Sequence, residues 1–83
     1  MTIEQTISKI KTGDILSITA DNKTSTVRVT GIEGKFIWIT SGRKLFGTEY
    51  VGCIHTEFLE FSPTVRQQVR SIKDVQIVGA VSA

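Results

Sequence analysis

Cysteine is nearly absent: Cys53 is the only one in 83 residues, so no disulfide can close within the chain, and a lone thiol fits a reducing compartment. Long apolar runs are missing as well. The longest, residues 77–81, falls far short of the ~18 residues a membrane-spanning helix needs. No basic stretch leads into an apolar segment at the N-terminus, which is the pattern of an export signal. A soluble, cytoplasmic protein is therefore expected, with no membrane partner. Histidine occurs once and proline once, which limits both metal chemistry and helix punctuation. Neither charge sign dominates: ten basic and eight acidic residues leave a net charge of +2 and a pI near 8.9. At that balance the distribution of cations matters more than their total.

At this length the chain forms one domain, residues 1–83, with a single core. A domain so small buries only roughly 60–65% of its unfolded surface, close to the minimum that folds without a staple. Thr2 and Gln5 have capping-box spacing, and Ile3, Ile7 and Ile10 follow at helical intervals before Gly13, which predicts a helix over residues 3–11. From Asp14 the period changes to two: Leu16, Ile18 and Ala20 alternate with their neighbours in a β-branched run. Asp21-Asn22-Lys23 supplies turn chemistry for a hairpin. In the next strand Val27 and Val29 face the core while Thr26, Arg28 and Thr30 face water. Glu33-Gly34 then turns the chain into residues 35–40, a strand apolar on both faces and so read as central, with Phe36 and Trp38 as core residues.

Residues 43–52 give no clear pattern, and residues 53–61 return to strand. Ser62-Pro63 reads as an N-cap followed by a first-turn proline. The helix it opens would carry Val65, Val69 and Ile72 as an apolar stripe and Arg66, Arg70 and Lys73 as a basic ridge. Residues 75–81 form a last strand, packed on the sheet or on another subunit. The expected class is mainly β, barrel-like, with an N-terminal helix and a C-terminal helix plus strand; the alternative is α+β with a curved antiparallel sheet. Over residues 13–61 the order of elements resembles small barrels of the Src-homology and Sm-like kind, in which a pair such as Gly13-Asp14 often opens the first strand. That resemblance implies a fold and no function.

Residues 41–57 hold the motifs that could carry chemistry. Gly42 and Gly47 have P-loop glycine spacing, but Thr48 and Glu49 stand where lysine and serine or threonine should bind phosphate and magnesium. A looser turn at Ser41-Gly42-Arg43-Lys44 could still hold a phosphate on its cations and backbone donors. Cys53, His55 and Glu57 share one face of a regular strand, yet a straight strand spreads three ligands in a line, where zinc wants a fan. Cys53 is read as a small hydrophobe. No metal, cofactor or catalytic residue is expected. A small enzyme using Cys53 and His55 remains the third reading.

Phe36, Trp38, Phe46 and Tyr50 are the aromatics that could stack on bases, with Lys35, Arg43 and Lys44 nearby. The leading expectation is a non-enzymatic small barrel that binds nucleic acid or a phosphate-bearing nucleotide. Its candidate residues are Arg28, Arg43, Lys44, Tyr50, Arg66, Arg70 and Lys73. A homo-oligomer is expected because an apolar last strand needs its edge covered. The alternative is a protein-interaction module, an adaptor or inhibitor such as a bacterium or its phage encodes, acting on a host protein.

Overall fold

Thr2 opens the first element as the sequence predicts. Its hydroxyl accepts from the Gln5 N–H at 3.1 Å while its own N–H donates to Gln5 Oε1 at 2.9 Å, a complete capping box on α1, Ile3–Ser8. The helix is shorter than residues 3–11, ending at the Lys9 C-cap. Ile10 is nevertheless buried, with Ile3 and Ile7 packed against the same core. Thr2→Ala removes one arm of the box, so it should cost about 1 kcal/mol and lower the melting temperature by several degrees, read by thermal circular dichroism.

The computed structural model describes residues 2–45, 48–62 and 69–80, and of residues 42–45 and 48–50 the backbone alone. Six strands follow α1: β1 Asp14–Ala20, β2 Lys23–Glu33, β3 Phe36–Leu45, β4 Thr48–His55, β5 Glu60–Ser62 and β6 Arg70–Ala80. Each pairs antiparallel with the next, and β6 returns to β1, closing the sheet into a barrel. The mainly β barrel is thus the fold. Its turns carry the expected chemistry. Asp21 and Asn22 both take left-handed angles, φ 49° and 63°, the two central positions of a I′ hairpin turn. Gly34 takes φ 57° at the first position of the two-residue turn between Glu33 and Phe36, where a side chain would strain the backbone.

The core is almost wholly aliphatic. Leu16, Ile18 and Ala20 of β1 meet Val27 and Val29 of β2, Ile37 and Ile39 of β3, Ile54 of β4 and Ile72 and Val75 of β6. Phe61 of β5 is the only aromatic residue among them. Its registered partner Ile54 is fully buried. Among the described residues no helix is long and apolar enough to cross a membrane.

Three expectations need correction. The predicted C-terminal helix does not reach Arg70 to Lys73, which lie in β6, and Ser62, its predicted N-cap, is the last residue of β5. Residues 63–68, Val65 and Arg66 included, lie outside the described residues. Second, the strand predicted over residues 53–61 is interrupted: β4 ends at His55 and a turn intervenes before Glu60. Leu59, at φ 51°, reverses the chain there, and its carbonyl accepts from the Ile72 N–H at 2.8 Å. Third, the last strand starts at Arg70 and is an integral stave of the barrel, paired with β1 over most of its length. Register shifts between Ile15 and Leu16 and between Thr19 and Ala20 leave Val78 and Lys73 as extra residues, and the second lets Ile72 and Val75, three apart, both face inward.

Candidate functional site

The pairing register sorts the outer surface into rows, because residues opposite each other on neighbouring strands share a face. One row runs Glu33, Phe36, His55, Glu60 and Ser71 across β2 to β6. The next runs Gly31, Trp38, Cys53 and Ser62. Beyond it lie Arg28, Thr40 and Val51. Phe36 and Trp38 therefore stand outside the barrel, which corrects their reading as core. The inner face of β3 belongs to Ile37 and Ile39.

These outer rings form one cluster. Phe36 and Trp38, two apart on β3, lie 6.1 Å between centroids with planes 21° from parallel. His55 meets Phe36 edge-on at 4.9 Å, and Phe58 stacks on His55 at 4.7 Å. Phe58 is 65% exposed and Phe36 41%, with Trp38 half-buried. Gly31 opposite Trp38 leaves the backbone bare, and a Cβ there would come to 3.8 Å from the indole Cδ1. The indole is thus seated beside bare main chain. Val51, 40% exposed, extends the apolar surface by one row.

Polar contacts hold the ledge in shape. Lys35 Nζ donates to Glu57 Oε2 at 2.6 Å, and the Thr56 N–H and hydroxyl both donate to the Lys35 carbonyl, at 2.9 and 3.1 Å. The β2–β3 turn and the turn after β4 are thereby fastened together beneath Phe58. The Phe58 N–H donates to His55 Nδ1 at 3.4 Å, which needs that nitrogen bare and so puts the imidazole proton on Nε2. Cys53, unpaired, sits half-buried beside Trp38, and burial pushes its thiol pKa up. Little thiolate is present near neutral pH, so alkylation in the folded protein should be much slower than in denaturant, and faster as pH rises; mass spectrometry of timed aliquots reads both.

Among the described residues, Arg70 and Lys73 do not form the ridge that the sequence predicts. Arg70 pairs with Phe61 in register and so shares the inner face at the barrel mouth, where its Nε lies 3.6 Å from Asp21 Oδ2. Lys73 is exposed at the bulge beside Asp74. The two share no ridge. Arg28 is exposed on the outer face, in the row of Thr40 and Val51. Arg43, Lys44 and Tyr50 lie on the arm where β3 and β4 continue, Lys44 opposite Glu49, and their side chains lie outside the described residues. Arg66 does too. Cys53 and His55 do share the outer face, but Glu57 has left it for the turn and Lys35. Among the described residues no group of three His, Cys, Asp or Glu side chains could hold a metal ion.

Phe58 and His55 are the members of the ledge that the sequence pattern missed as aromatics of one surface. The signal available was the alternation in residues 35–40, which puts Phe36 and Trp38 together opposite Ile37 and Ile39. Comparison of the chain with known protein families, with curated proteins and with solved structures gave no significant match.

Proposed function

We propose that this small barrel is a non-enzymatic binding module that docks onto a protein partner through the outer aromatic ledge of Phe36, Trp38, His55 and Phe58. The observation that supports it most is the division of the aromatics. Of the described aromatic side chains, only Phe61 sits in the core, while three others and the sole histidine cluster on the surface. Exposed rings lose hydrophobic stabilisation that burial would provide, and surface clusters of this kind are typical of interface hot spots.

A photo-crosslinking benzoylphenylalanine at Phe58 tests this in cells. A crosslinked protein should appear, vanish when Trp38→Ala is added, and be absent when the probe replaces Thr26, an exposed outer-face residue on the far part of β2. Equal crosslinking from both positions would contradict the reading.

Nucleic acid or a nucleotide is the second proposal, supported by the same rings, which offer flat faces on which bases could stack, and by Arg28 on the same side of the barrel. A crosslink from Phe58 that nuclease removes would favour it. Self-association stays a proposal on a narrower basis. Among the described residues β6 meets β5 only through Arg70 and Ser71, and Val78 further along β6 is 56% exposed, which suits pairing with a second copy.

A further inference from the structure

We infer that the ledge recognises an arginine-bearing, extended segment of its partner, with the guanidinium laid on the Phe36 and Trp38 faces and held by Glu33 or Glu60. This deepens the protein-docking reading and rests on it. The charge around the rings supports it. Glu33 and Glu60 stand at either side of Phe36 and His55 in one ladder row, and neither makes an ion pair among the described residues. Lys35, which precedes Phe36 in the chain, is occupied by Glu57 at 2.6 Å. The aromatic row is therefore electronegative at both sides, in its ring faces and in its carboxylates. A phosphate-bearing ligand lying along it would be repelled, while a cation is attracted by both features at once.

Geometry favours arginine over lysine. Phe36 and Trp38 lie only 21° from parallel at 6.1 Å, so their ring planes run nearly the same way and either ring offers a flat surface. A planar guanidinium can stack flat on such a surface while its edge donors reach a carboxylate in the same row, whereas an ammonium offers neither a plane nor a fork.

The test uses the full chain and two short peptides of glycine and arginine residues, one with citrulline replacing every arginine. Citrulline keeps the planar end group and removes its charge. Trp38 fluorescence and the amide spectrum should report saturable binding of the arginine peptide, with the citrulline peptide roughly tenfold weaker or worse. Glu33→Gln with Glu60→Gln, at exposed and half-buried outer positions, should bring the arginine peptide down to the citrulline level. Equal binding of the two peptides, or wild-type affinity in the doubly neutral variant, would overturn the inference. Should the Phe58 crosslink find a protein whose capture ignores the glutamines, arginine recognition fails while the docking ledge stands. Should an oligothymidylate bind instead, and bind more tightly to the glutamine variant, arginine recognition fails and the ledge belongs to nucleic acid. A crosslink equal to the Thr26 control removes the ledge itself.

Discussion

Phe61→Ala is expected to lose ~3–5 kcal/mol of stability, the usual range for emptying a buried phenylalanine site. A domain of 83 residues holds on the order of 4–12 kcal/mol in total. The loss is therefore about a quarter of that total at the least, and the melting temperature should fall by more than about 10 °C. Phe61 is 2% exposed and sits in β5, a strand of only three residues that joins β4 to β6. A short stave has few hydrogen bonds to keep it in place, so its buried ring is what anchors the closure. Urea unfolding followed by circular dichroism checks this: the midpoint should fall sharply, and a midpoint within error of wild type would place the core elsewhere.

Trp38→Ala combined with Phe58→Ala should behave in the opposite way. Both side chains lie on the outer face, so the core of aliphatic residues is untouched and stability should drop by ~1–2 kcal/mol at most. Binding should fall by more than about thirtyfold, the loss expected for one ring alone, since aromatic hot spots each contribute ~2 kcal/mol or more at an interface. The pair of measurements separates the two roles of the described aromatic residues, Phe61 inside the barrel and Phe36, Trp38 and Phe58 outside. Calorimetric titration with the partner isolated through the Phe58 crosslink supplies the affinity. A variant that folds and still binds like wild type would remove the ledge from function.

Much of the fold is legible in the residues. Alternation at Leu16, Ile18 and Ala20 and at Val27 and Val29 puts those side chains in the core, and Asp21-Asn22 and Gly34 turn the chain where their backbone preferences allow. The capping box at Thr2 and Gln5 is present atom for atom. The misreading of the C-terminal segment has a physical origin. Ile72 and Val75 are three apart, as on a helix, because the extra residue Lys73 in β6 shifts the inward face by one position. A bulge thus imitates a helical interval, and no local pattern distinguishes the two until the partner strand β1 is known. Arg70 and Lys73, at the described end of the predicted ridge, stand apart on β6, where Arg70 turns toward Asp21.

The candidate face was half visible. The sequence offers Phe36 and Trp38 as rings that could stack on bases, yet a strand apolar on both sides reads as buried on both sides. In a barrel one side of every strand faces outward, so apolar residues there are exposed unless another layer covers them. His55 and Phe58 join the cluster only through the β3–β4 register and the turn that follows it, both tertiary facts.

The central claim, that the β3 rings stand outside the barrel, is tested most directly by the fluorescence of Trp38, the chain's only tryptophan. In the native protein acrylamide should quench its emission to a degree between that of free tryptophan and a fully enclosed indole, and a bound partner should shield it. Emission that stays blue-shifted and indifferent to acrylamide until the protein unfolds would put the indole in the interior and contradict the account.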